Sequence, residues 1–189
     1  MNFRPLLVLI AALQMVACTS VQPITLRGLD GGSYQPLAVD ANTVTVMVFI
    51  SHECPIANGY APTLQQLHAS WSVEPRVRTF LVHCDPDLTA AEARQHAVDY
   101  KLPGTILLDP SQRLASACRV AITPEAVVYA KGVIAYRGRI DDQWQKLGSR
   151  APMASQNDLA DAVANVLNGE PVAQPFAKAV GCLLPEPRR

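Results

Sequence analysis

The stretch Thr43-Val44-Thr45-Val46-Met47-Val48-Phe49-Ile50 constrains this chain more than any other. Every position is apolar or β-branched, so an extended strand here leaves neither face polar. Such a strand needs cover on both sides, which a sheet with one face in water does not give. Helices therefore pack on both faces of the sheet that contains it. The chain has the material for that: 189 residues, 49% hydrophobic and only 17% charged. That is too apolar for a disordered chain and long enough for one domain with a proper core. With 16 basic and 16 acidic side chains the formal charge is zero, so the net basic stripe of a nucleic-acid binder is missing. No internal repeat or low-complexity segment is visible.

Around this strand the pattern alternates. Ile24 to Leu29 followed by Asp30-Gly31-Gly32 reads as a small hairpin. After Ser51-His52-Glu53-Cys54-Pro55 comes a helical pattern with Leu64, Leu67 and Trp71 on one face. Val77 to Val82 is a second buried strand, and Thr89 is an N-cap for a helix over Ala90 to Tyr100. Thr105 to Leu108 is a third strand, followed by a helix through Leu114 and Ala117. Ala126 to Tyr129 and Val133 to Tyr136 flank Lys131-Gly132 as a hairpin. Asp158 to Leu167 is the last helix, capped by Asn157 and stopped by Asn168-Gly169. Parallel crossovers ending in an antiparallel hairpin imply an α/β fold, with one mixed central sheet and helices on both faces. The proline-rich residues 169–189 read as an extended C-terminal tail, and Asp141-Asp142 as a solvated loop.

A separate segment stands in front. Arg4 precedes the apolar run Leu6 to Leu13, and Gln14-Met15-Val16-Ala17 leads to Cys18. The run is too short to span a bilayer and has the proportions of a secretory signal. It resembles the bacterial lipoprotein signal, in which cleavage makes the cysteine the first mature residue and lipid is added to it. Residues 1–17 are thus expected to be a signal peptide, Cys18 the lipidation site and 18–23 a tether, with the protein exported to the periplasmic face of a membrane. Met15 stands where that signal usually has leucine; a plain signal peptide, leaving a soluble periplasmic protein, is the alternative. Export allows disulfides to persist among the remaining Cys54, Cys84, Cys118 and Cys182, whose pairing spacing alone does not choose.

Cys54 is the sharpest local signal. A buried strand ends beside it and a helix starts with Pro55, whose missing N–H costs nothing at a first helical turn. A thiol so placed sees free backbone N–H groups and the positive end of a helix dipole, the setting that makes a thiolate available at neutral pH. Ligands also gather beyond the carboxyl ends of parallel strands, which is the edge where Cys54 falls.

These residues resemble the thioredoxin-like superfamily over about residues 24–168. Cys54-Pro55-Ile56-Ala57 lies where thioredoxins carry Cys-x-x-Cys, with Ala57 replacing the second cysteine, and Thr123-Pro124 lies where they carry a cis-proline loop. The segments CPIANGYAPTL, DPDLTAAEARQHA, ITPEAVVYAKGVIAYRGRIDD and KAVGC are similar to bacterial redoxin-domain proteins of the AhpC/TSA type. The resemblance implies a three-layer thioredoxin-like fold and an exported thiol oxidoreductase with Cys54 as nucleophile, acting on a protein disulfide or a small peroxide without a cofactor. Ser51, Pro55, Thr123 and Pro124 would line the substrate site, and an external thiol would restore the enzyme. Two departures bear on the reaction. Met47 stands where peroxiredoxins have a proline, and their peroxide-polarising arginine is missing near Pro124, leaving Arg119, Arg137 and Arg139 as substitutes. Lacking a cysteine at position 57, the chain must resolve Cys54 from elsewhere: Cys84, at the same sheet edge, and Cys182, on the tail, are the candidates, while Cys118 reads as packed. The contrasting reading is a non-catalytic module that binds copper through Cys54, His52 and His83, or binds a partner protein; no metal-ligand spacing supports the metal.

Overall fold

The computed structural model describes residues 23–187. The expected signal peptide and the lipidation site Cys18 lie outside the described residues.

Leu26–Gly28 (β1) and Ser33–Tyr34 (β2) form the opening hairpin. Val44–Ile50 (β3) is buried at every position. Its side chains alternate between two cores: Val44, Val46, Val48 and Ile50 enter one, Met47 and Phe49 the other. The helix expected next is two, Pro55–Gly59 (α1) and Ala61–Trp71 (α2), which share Tyr60 as C-cap and N-cap. Pro62 has no N–H to donate to Asn58, so the helical ladder cannot run through. Val77–His83 (β4) follows, then Ala90–Asp99 (α3), whose cap Thr89 forms a reciprocal capping box with Glu92. Thr105–Leu108 (β5), Arg113–Cys118 (α4) and Ile122–Thr123 (β6) lead to the hairpin Glu125–Ala130 (β7) and Val133–Gly138 (β8). At its turn Lys131 and Gly132 have φ of 51° and 83°, as a tight turn with the twist of the flanking strands demands.

A second small hairpin, Trp144–Lys146 (β9) and Ser149–Arg150 (β10), has no counterpart in the sequence reading. Nor is the preceding loop wholly solvated: Asp141 is buried and accepts hydrogen bonds from the Tyr60 hydroxyl (2.7 Å) and the Gln143 backbone N–H (2.9 Å). A buried phenol needs such a partner. Asp158–Leu167 (α5) forms as expected, but Asn157 makes no side-chain capping bond; its φ and ψ of −112° and 58° are not those of a capping residue.

Phe176–Ala177 (β11) and Cys182–Leu183 (β12) complete the chain. The main sheet runs β11-β8-β7-β3-β4-β5-β1-β2, with β3, β4 and β5 parallel and β7 antiparallel to β3. Ile56, Tyr60 and Leu64 of the first two helices and Leu159 and Val163 of α5 cover one face. Leu114, Ala115 and Cys118 of α4 cover the other. The tail is extended but not loose. It lies beside β8 through β11 and on β6 through β12.

Phe49 is fully buried in the core under α4. Phe49→Ala should cost about 3–5 kcal/mol of unfolding free energy, lost transfer energy plus a residual cavity, read from the urea midpoint.

Candidate functional site

The loop after β3 is tightly wound. The Cys54 backbone N–H donates to the Ser51 carbonyl (3.3 Å) and that of Glu53 to the Ser51 hydroxyl (3.4 Å). Cys54 is the N-cap of α1 with Pro55 directly after it, and its carbonyl accepts from the Asn58 N–H at 3.0 Å. The thiol points into the structure: Cys54 is 1% exposed and donates to the Thr123 carbonyl at 3.1 Å. The Thr123-Pro124 peptide bond is cis.

The second sulfur at this site comes from the tail. Cys182 Sγ lies 2.6 Å from Cys54 Sγ. Antiparallel pairing puts Cys182 opposite Thr123 and Leu183 opposite Ile122. The Leu184 N–H donates to the Ala121 carbonyl (3.0 Å), and the Gln112 side chain donates to the Pro185 carbonyl (2.6 Å). Gly181 makes the approach feasible, because a Cβ there would run into the Thr123 carbonyl. Burial, and then the neighbouring Cys54, push the Cys182 thiol up to about 11. Leu183, one residue on, is 82% exposed, so the tail brings its sulfur to the boundary between core and solvent.

Cys84 is placed differently. It packs in the opposite core, with Phe80, Val82 and Cys118, and its thiol faces the Asp109 carboxylate at 3.9 Å. Burial, then the Asp109 charge, raise the thiols of Cys84 and Cys118, the latter to about 12. Successive side chains of a strand point to opposite faces. His83 therefore faces the Cys54 side, where it meets His96 at 3.3 Å, and Cys84 faces away. Of the two candidate partners for Cys54, the fold brings up Cys182.

The remaining candidates divide in the same way. The Ser51 hydroxyl is engaged within its own loop, and Met47 is buried in the far core. Arg137 pairs with Glu125 at 3.5 Å and lies over the Phe176 ring; Arg139 pairs with Asp158 at 2.7 Å; Arg119 is exposed at the end of α4. The partners of the Cys54 thiol are instead a carbonyl and a second thiol. Among the described residues, no group of three or more His, Cys, Asp or Glu side chains is arranged to hold a metal ion. Two neighbours escaped the sequence reading. Asn58 and His96 form a hydrogen-bonded link at 2.8 Å beside the Cys54 loop, and only a polar pair on two helix faces hinted at it. Beside the tail, a cavity of about 720 Å³ is lined by Ile122, Trp144, Lys178 and Gly181 among others.

A cysteine at the end of a central parallel strand, opening a helix and facing a cis-proline strand, defines a thioredoxin-like fold. Solved structures bear this out. The chain is similar to an uncharacterized conserved protein from Geobacillus kaustophilus (TM-score 0.74, 22% identity, covering 88% of this chain and 90% of that one). It is also similar to a hypothetical protein from Sinorhizobium meliloti 1021 (TM-score 0.71, 20% identity, 91% and 95% covered). A secreted disulfide oxidoreductase of Mycobacterium tuberculosis aligns with a TM-score of 0.55 at 22% identity, over 75% of this chain and 95% of that one. At these identities the likeness is one of fold. No family model matches the chain, and no curated protein matches it.

Burial, and then the charges on His96 and His52, hold His83 down to about 3 from an ordinary 6.5. Below its ordinary value the unfolded chain binds this proton and the folded one does not, so stability is full above 6.5 and falls as pH drops toward 3. Replacing His83 by Gln should flatten the fall of Tm between about pH 6.5 and 5 relative to wild type, measured by calorimetry of the reduced protein.

Proposed function

We propose that this chain is an exported thiol oxidoreductase in which Cys54 is the nucleophile and Cys182 the resolving thiol. The observation that carries the reading is the 2.6 Å separation of the two sulfurs under a paired backbone; an S–S bond is about 2.05 Å long, so little movement is needed to form it. The Cys54 thiolate attacks one sulfur of a substrate disulfide, forming a mixed disulfide and releasing the other substrate sulfur as thiolate. The Cys182 thiolate then attacks Cys54 Sγ, expels the second substrate thiolate and leaves the Cys54–Cys182 disulfide. The substrate gains two electrons and an external dithiol returns them to the protein. Since Cys54 is 1% exposed beneath the tail, substrate enters when residues around Cys182 lift from the edge of β6.

A disulfide is favoured over a peroxide as substrate. Arg137 and Arg139 are committed to Glu125 and Asp158, and Met47 lies in the far core. Two of the three candidate arginines are thereby turned to carboxylates rather than to a peroxide oxygen at Cys54. The copper-binding alternative finds no ligand set among the described residues. The M. tuberculosis neighbour is a disulfide oxidoreductase, which supports the same class here. Export and lipid on Cys18 rest on the N-terminal sequence, and a protein thiol or disulfide is the partner.

Treating the reduced protein with oxidised glutathione and mapping disulfides by mass spectrometry tests this. Wild type and Cys84→Ser should both form a Cys54–Cys182 bridge, whereas Cys182→Ser should stop as a stable glutathione adduct on Cys54. An unmodified Cys54 in all three would overturn the reading. Gly181→Val, which drives a side chain into the Thr123 carbonyl, should slow bridge formation by about tenfold or more while leaving Cys54 in place.

A further inference from the structure

The polar cluster behind Cys54 is built from side chains on separate elements. His83 ends β4 and is 1% exposed; His96, on α3, is 5% exposed; Asn58 belongs to α1; His52 lies in the loop before Cys54. A single hydrogen-bond chain joins them. His83 Nε2 meets His96 Nδ1 at 3.3 Å, His96 Nε2 meets Asn58 Oδ1 at 2.8 Å, and Asn58 Nδ2 donates to the His52 carbonyl at 2.9 Å.

The last bond fixes the rest. With Asn58 Nδ2 donating, Oδ1 must accept, so the proton between His96 and Asn58 sits on His96 Nε2. A neutral His96 then accepts at Nδ1, and His83 must donate from Nε2. The direction of donation runs one way, from the end of β4, through α3, to the loop that carries the thiol. Asn58 is also the residue whose backbone N–H holds the Cys54 carbonyl at 3.0 Å. Its side chain grips the loop before Cys54 and its main chain grips Cys54 itself.

We propose that His96, in its neutral Nε2–H form, is a positioning residue for Cys54, holding Asn58 so that the thiol stays aimed at Thr123 and Cys182. The surroundings agree with a neutral ring. Burial, then the charge on His52, hold His96 below its ordinary value, against an opposing pull from Asp99. The groups around it are His83 from β4, Asn58 from α1, His52 from the loop, and Tyr100 just beyond its own helix, whose ring centroid lies 5.0 Å away. None is a carboxylate facing the ring from another element. A charge on this ring would sit between two other histidines, with Asp99 of its own helix the carboxylate that favours it.

The assignment rests on the oxidoreductase reading, and the test separates the two. Nitrogen-15 NMR of the wild-type rings at pH 7 should find both His96 and His83 as Nε2–H tautomers. The rate of Cys54–Cys182 bridge formation with oxidised glutathione should fall about tenfold in His96→Leu and return to within about twofold of wild type in His96→Gln, whose amide places a donor where Nε2 was. A charged or Nδ1–H His96 overturns the assignment, as does a His96→Leu protein that bridges as fast as wild type, or a His96→Gln protein that folds and bridges as slowly as His96→Leu. A wild-type chain that forms no bridge at all overturns the oxidoreductase reading and the positioning role with it, whereas the variant results alone remove only His96.

Discussion

The antiparallel pairing of Cys182–Leu183 with Ile122–Thr123 is the contact on which the site depends. It is a short ladder, two residues against two, but it decides which sulfur meets Cys54. Without it Cys54 would open toward solvent beside a cis-proline strand with an empty edge. With it, that edge is already taken, and by a segment whose own sulfur lies 2.6 Å from that of Cys54. The second sulfur beside Cys54 comes from the tail, and position 57, on the next helical turn, is an alanine. A partner on the following turn is fixed by the helix. A partner on a separate strand can leave, and its arrival depends on backbone pairing and on the missing side chain at Gly181.

The central strand divides the cysteines as well as the cores. Cys54 sits with the aliphatic residues of one layer, Cys84 and Cys118 with those of the other. The two buried thiols on the far side share a pocket with Asp109, whose carboxylate accepts three backbone N–H bonds from the start of α4. That carboxylate is occupied in holding a helix end, and its charge raises both neighbouring thiols. One side of the sheet thus holds two buried thiols raised above their ordinary value, while the other brings two sulfurs together.

Much of this could be read from the residues. The strands showed as apolar or β-branched runs, the N-cap of α3 as Thr89, and Cys54 as a thiol at a strand-to-helix junction. What stayed hidden has physical reasons. A two-residue strand such as β12 has no periodicity, and its cysteine meets Cys54 across 128 residues of chain, so nothing local announces it. The choice between Cys84 and Cys182 turned on strand parity: a position just past the end of β4 gives the right edge of the sheet but not the right face. The split of the first helix was written in Pro62, but Leu64, Leu67 and Trp71 mark only the helix that follows it and give no sign of where it begins. The roles of Asn58 and His96 depend on a meeting of two helices that no single stretch encodes.

The tail has a second duty. Before reaching the sulfurs it passes along β8 as β11, where Phe176 stacks on Arg137 and Ala177 fits against Gly138. The hydrogen-bonding edge that β8 would otherwise offer to another molecule is shielded by a strand of two residues, too brief to act as a template itself. One peptide therefore both covers the edge of β8 and brings a sulfur to Cys54. Deleting it to remove the second thiol would uncover a sticky margin, so in this architecture the sulfur can be given up cleanly by point replacement but not by shortening the chain.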